Sequence, residues 1–181
     1  TFRGHQEQEI NQMQDYNPFS LQGKTLLVTG ASSGIGRAIA VECSRMGAAV
    51  VVTARNEVRL GETLAAMHGT GHTAITADIT DSDGIEKISS EVPQLDGIVH
   101  CAGIGDRTLC RMVREKDLQR VMSVNFDAPV LLQRALMKGK KIANGASVVF
   151  IASRAPFAPA IGNSLYSASK GAMIAYAKVL G

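Results

Sequence analysis

From Lys24 onward, short apolar runs alternate with longer amphipathic stretches. TLLVT (25–29), AVVVT (49–53), TAITA (73–77), DGIVH (96–100) and SVVFI (147–151) are rich in β-branched residues and read as buried parallel strands. Between them, Ile35, Ala38, Ile39, Cys43 and Met46 recur at helical spacing, as do Leu60, Leu64 and Met67, and then Ile85, Ile88 and Val92. A longer helical segment covers about 115–137, with Leu118, Val121, Met122, Leu131, Leu132 and Leu136 apolar. A last helix starts near Ser164. The order β-α-β-α-β-α-β-α-β-α predicts an α/β fold: one doubly wound parallel sheet with helices on both faces. The apolar segment 155–163, with two prolines and a glycine, reads as a loop between the last strand and the last helix.

Composition narrows this picture. The 181 residues suit one domain, taken here as 21–181, behind a polar, flexible N-terminal extension at 1–20. Hydrophobic residues make up 45% and charged residues 19%, which suits a globular chain with a real core. The net charge of +3 is mild and the basic residues are scattered, so nucleic acid is not an expected partner. Lys138, Lys140 and Lys141 read as a solvated helix end. Cys43, Cys101 and Cys110 form no CxxC pair and read as free thiols in a reducing compartment. His68 and His72 are separated by Gly69 and Gly71, which argues against a helix presenting both to a metal. No run approaches a membrane span, and the N-terminal segment lacks the apolar core of a signal peptide, so the expected location is cytoplasmic.

The candidate chemistry sits where predicted strands end. TGASSGIG (29–36) joins the first strand to the first helix. Gly30 permits a tight turn, Gly34 and Gly36 let a dinucleotide backbone approach, and the helix N-terminus offers N–H groups to phosphate. Ser32 and Ser33 can donate to phosphate or cap the helix. The second strand ends at Ala54, followed by Arg55, where NAD-type folds often carry a carboxylate for the ribose 2′-hydroxyl. An arginine there favours a 2′-phosphate, and so NADP, over its alternative as a surface arginine. Asp78 follows the third strand as an adenine contact or a turn cap. HCAG (100–103) follows the fourth, with Ala102 and Gly103 small enough for a cofactor to pass.

Asn125 lies in an apolar helical stretch, to bond backbone or to hold a water. Ser153 ends the fifth strand, where open α/β sheets place ligands, although a turn serine is the simpler alternative. Tyr166 and Lys170, in YSASK, are i and i+4 on one helix face. An ammonium beside a phenol favours the phenolate, which suits the pair to acid/base work.

Together TGASSGIG, Asp78, the AG of HCAG, Asn125, Ser153 and YSASK resemble the short-chain dehydrogenases/reductases, in the compact single-domain branch marked by TGxxxGxG and YxxxK. The resemblance covers about Lys24 to Gly181 and implies a Rossmann-like domain that binds NADP, or else NAD. It implies an enzyme interconverting a carbonyl and a secondary alcohol, such as a 3-oxoacyl thioester or a sugar-derived ketone. Tyr166 is then the acid/base, Lys170 tunes it and holds the nicotinamide ribose, Ser153 bonds the substrate oxygen, and Asn125 keeps a water for proton relay. Gly30, Ser32, Ser33, Gly34, Ile35, Gly36, Arg55, Asp78, Ile79, Ala102, Gly103, Tyr166 and Lys170 form the cofactor set.

Family members commonly pair as dimers or tetramers, and Ala168, Gly171, Ala172 and Ala175 would permit close packing of helices. Two departures stand out. HCAG replaces the usual NNAG, and the family's later strands and substrate lid are not in the 181 residues, so the domain is expected to be C-terminally incomplete. The competing expectation is a dinucleotide-binding sensor or assembly subunit without catalysis. A sugar-nucleotide epimerase or dehydratase is a weaker third, since those relatives prefer TGxxGxxG.

Overall fold

The computed structural model describes residues 17–158 and 160–180. Five strands, β1 (Thr25–Thr29), β2 (Ala49–Ala54), β3 (Thr73–Thr76), β4 (Leu95–His100) and β5 (Ile142–Phe150), form one sheet in the order β3-β2-β1-β4-β5. Every pairing is parallel. The helices are α1 (Gly34–Arg45), α2 (Glu57–Ala65), α3 (Ser82–Glu91), α4 (Glu115–Met122), α5 (Ala128–Lys138) and α6 (Ser164–Leu180). This is the predicted Rossmann-like, doubly wound sheet. The expected flexible extension at 1–20 falls mostly outside the described residues. Phe19 is exposed, whereas Leu21 packs against the core and donates its N–H to the Met46 carbonyl at 2.8 Å.

Side chains alternate across the pleat of β1 and so feed two cores. Leu26 and Val28 join Val50, Val52, Ala40 and Leu60 on the face covered by α1 and α2. Leu27 points the other way, to Val51, Ile98, Ile88, Leu132 and Leu136 under α3 and α5. Burial on both faces is why these strands read as continuous apolar runs.

Two element boundaries differ from the sequence reading. β5 starts at Ile142, not Ser147, because Leu95 pairs with Ile142 and a register irregularity between Leu95 and Gly97 absorbs the small residues ANGA. Gly145, at φ 77°, takes the left-handed backbone this needs. The helix predicted over 115–137 is interrupted by a π turn at Ser123–Asp127, in which the Ala128 N–H reaches back five residues to the Ser123 carbonyl. Pro129 lacks an N–H and its ring crowds the carbonyl four residues earlier, that of Asn125, so the helix widens there.

Candidate active site

The sheet order reverses between β1 and β4, and ligands of open α/β sheets bind at such a switch point. A cleft of about 810 Å³ lies there, along the C-terminal ends of the strands. Its first wall is the β1–α1 turn. Gly30 has φ 67°, and a Cβ on it would stand 2.7 Å from the Ala102 Cα. A Cβ on Gly36 would sit on the Gly30 carbonyl, so two glycines are needed for the turn to close under the β4 loop. A Cβ on Gly34, at φ 53°, would meet nothing within 4 Å, so it faces open cleft. Ser32, Ser33, Ile35 and the start of α1 complete this wall.

The second wall follows β2 and β3. Arg55, Asp78 and Ile79 line it, as expected, together with Thr53, Asn56, Arg59 and Thr80, which sequence reasoning did not single out. The Arg55 guanidinium stands 3.5 Å from the Asp78 carboxylate. Asp78 also accepts from the Thr80 N–H (2.9 Å) and hydroxyl (2.7 Å). Partial burial pulls the Asp78 carboxyl upward, but these bonds and Arg55 outweigh it and hold the group below its usual range. Gly84 fixes the Asp78 backbone, because any Cβ there would collide with the Asp78 carbonyl.

The inner end is built around the loop after β4. Thr29, 1% exposed, accepts from the Cys101 N–H (3.0 Å) and Ala102 N–H (3.1 Å) through its hydroxyl oxygen, tying the loop to β1. Asn125 is also 1% exposed. Its Oδ1 accepts from the Ile104 N–H (2.8 Å), and its Nδ2 donates to the Ile104 carbonyl (2.9 Å) and the Ser169 hydroxyl (3.0 Å). The amide therefore clamps the β4 loop to α6 from behind the cleft wall. Gly103 lies between Asn125 and Lys170: a Cβ on it would be 3.3 Å from Asn125 Oδ1 and 3.5 Å from Lys170 Nζ.

Tyr166 and Lys170, from α6, both line the cleft, and the Lys170 ammonium is 5.9 Å from the Tyr166 ring centroid. Lys170 is 5% exposed and donates to the Ile151 carbonyl at 2.6 Å. Burial pushes its pKa down, with Cys101 opposing. Burial also pushes the Cys101 thiol up, against the pull of Lys170. Ser153, half-buried, lies two residues past Ile151, and its hydroxyl oxygen accepts from the Ala155 N–H at 3.1 Å. Ser153 and Asn125 are not among the residues lining the cleft, whereas the whole expected cofactor set is.

His100, where the resemblance leads one to expect an asparagine, points away from the cleft chemistry. It is 4% exposed, stacks on Phe150 with centroids 4.7 Å apart, and has Nε2 3.0 Å from Gln133 Oε1. Among the described residues there is no cluster of three potential metal ligands, and no helix is long and apolar enough to cross a membrane.

The family profile described as short chain dehydrogenase matches residues 24–181. The chain belongs to the short-chain dehydrogenases. This short-chain dehydrogenase is 31% identical over 160 residues to the 3-oxoacyl-acyl-carrier-protein reductase FabG of Rickettsia felis, an alignment covering 88% of this chain and 66% of that protein. The chain thus spans just under two thirds of that relative's length. It resembles the short chain dehydrogenase of Escherichia coli CFT073 solved in complex with NADPH, with a TM-score of 0.82 and 30% identity, covering 91% of this chain and 73% of that one. It also resembles an NAD(P)-dependent gluconate 5-dehydrogenase from Beutenbergia cavernae with bound NADP, with a TM-score of 0.78 and 34% identity, covering 91% and 68%.

Proposed function

We propose that the protein is an NADP(H)-dependent oxidoreductase that interconverts a carbonyl and a secondary alcohol. The observation that carries this reading is the buried Lys170 ammonium beside the Tyr166 ring at the inner end of the cleft. The residues present fit a dinucleotide. Gly34 leaves open space where a side chain would stand, and the cleft volume lies in the usual range for cofactor sites. The Gly30–Gly36 turn and the N-terminus of α1 would hold the pyrophosphate, Asp78 with Ile79 the adenine, and Arg55 the 2′-phosphate. NADPH and NADP in the two related structures favour the phosphorylated cofactor.

When bound, the nicotinamide supplies or accepts the hydride. In the reducing direction the Tyr166 hydroxyl gives its proton to the carbonyl oxygen, and the Lys170 charge stabilises the phenolate left behind. The bond from Lys170 to the Ile151 carbonyl holds that charge in place without neutralising it. Ser153 would donate to the substrate oxygen and so orient it toward Tyr166. Asn125, besides clamping Ile104, has a second lone pair on Oδ1 to hold a water near Lys170, through which Tyr166 regains its proton.

Leu109, Ala160 and Ile161 line an apolar hollow beside the start of α6. That favours a 3-oxoacyl thioester over a sugar-derived ketone. Exposed Leu118, Leu131 and Met137 on α4 and α5 support a homodimer or homotetramer. The test is Tyr166→Phe, assayed with NADPH against 3-oxoacyl thioesters and sugar ketones. Turnover should fall at least about 1,000-fold while NADPH affinity stays within about threefold. Retained turnover in the variant refutes the assignment. NADPH binding by the unaltered protein without oxidation on any of these carbonyls would instead favour a dinucleotide sensor.

A further inference from the structure

Ser169 stands between Tyr166 and Lys170 on α6, is 0% exposed, and does not line the cleft. Its hydroxyl donates to the Tyr166 carbonyl, one turn back in the same helix, at 2.8 Å. A hydroxyl carries one proton, so toward any other neighbour the Ser169 oxygen can only accept. That neighbour is Asn125, whose Nδ2 donates to it at 3.0 Å. Among the described residues this is the one side-chain hydrogen bond that joins α6 to the π turn.

The Asn125 amide is thereby held on three sides. Its two N–H groups go to Ser169 and to the Ile104 carbonyl, and Oδ1 takes the Ile104 N–H. Asn125 is 1% exposed, so without the Ser169 oxygen one Nδ2 hydrogen would be buried with no acceptor. The amide would turn to relieve that, and its grip on Ile104 would loosen with it. Alanine at 169 would suit the helix better than serine does. What the serine adds is the acceptor for Asn125.

We propose that Ser169 is a positioning residue for the proton relay: it fixes the Asn125 amide, and through it the β4 loop, in register with Tyr166 and Lys170 on the same helix. The inference rests on reading Tyr166 and Lys170 as the reacting pair, and one arm of its test needs no turnover. That arm is hydrogen–deuterium exchange read by NMR, comparing the Ile104 amide with the Leu27 amide in the middle of β1.

Ser169→Ala should speed Ile104 exchange about 10- to 100-fold relative to Leu27, because the loosening is local. Ser169→Cys, close in size but a weak acceptor, should fall between the two proteins. The second arm uses NADPH with acetoacetyl-coenzyme A as the 3-oxoacyl thioester. In Ser169→Ala kcat should fall about 10- to 30-fold while KM for NADPH stays within about threefold. In an Asn125→Ala background the same substitution should change kcat by less than about twofold, since its effect passes through the amide. Alanine favours the helix, so the variant should fold.

An Ile104 rate that is unchanged, or that rises only as much as that of Leu27, overturns the proposal. So does a kcat within about twofold of the unaltered protein, or full additivity of the Ser169 and Asn125 substitutions. Absence of turnover in the unaltered protein, with this thioester and with sugar ketones, overturns the reading of the reacting pair instead. The exchange comparison then still decides whether Ser169 holds the amide.

Discussion

His100 makes the stability of this domain sensitive to acid in a calculable way. Gln133 Oε1 can only accept, so Nε2 of His100 carries the proton, and Nδ1 has no partner. Burial against Phe150 pushes the imidazole pKa down to about 4, with the Gln133 bond opposing weakly. In the unfolded chain the ring titrates near 6.5. Between those values the unfolded state takes up a proton that the native state refuses. Stability is therefore lost as pH falls through that interval and is unaffected by this group above it.

At about 1.4 kcal/mol per unit, the interval from 6.5 down to about 4 amounts to about 3 kcal/mol. His100→Phe keeps a flat ring against Phe150 and removes the titration. It should cost about 1–3 kcal/mol at neutral pH, because the buried Gln133 amide oxygen loses its donor. Urea denaturation of both proteins at about pH 7.5 and about pH 4.5 isolates the histidine, since the carboxylates titrate alike in both. The unaltered protein should lose about 2–3 kcal/mol more than the variant over that range. Equal losses would show that His100 is protonated inside the fold, and the burial argument would fail.

Two further substitutions probe the frame of the cleft. Gly30→Ala puts a Cβ 2.7 Å from the Ala102 backbone at φ 67°, and should cost about 2–5 kcal/mol in urea denaturation and abolish nucleotide binding; a cost below about 1 kcal/mol would mean that the turn relaxes freely. Thr29→Val leaves the Cys101 and Ala102 N–H groups without their acceptor and should cost about 2–4 kcal/mol, with Thr29→Ser recovering most of it; equal losses in the two variants would assign the effect to packing.

What was legible in the sequence was what depends on short-range spacing. The central strands β1, β2 and β4 show as apolar runs because they are covered on both faces, as the opposed placements of Leu27 and Val28 make plain. The glycine turn and the Tyr166–Lys170 pair are local spacings, and both fall on the cleft. The early start of β5 was hidden because ANGA carries no apolar period; its pairing with Leu95 comes from tertiary contact. The π turn was hidden for a different reason. Pro129 is plain in the sequence, but a proline can end, kink or widen a helix, and only the packing of Asn125 against Ile104 and Ser169 selects among these.

The same distinction applies to the arginines at the outer end of the cleft. Sequence position singles out Arg55, directly after β2, and says nothing special of Arg59, one of many arginines on a helix surface. Which guanidinium has partners depends on Asp78, Glu62, Ser32 and Thr63, drawn from three separate segments of the chain. Those partners engage Arg55 and Arg37, whereas among the described residues the Arg59 guanidinium makes no hydrogen bond and no ion pair. Charge at a site can be counted along the chain, but availability is set by the neighbours a charge already has.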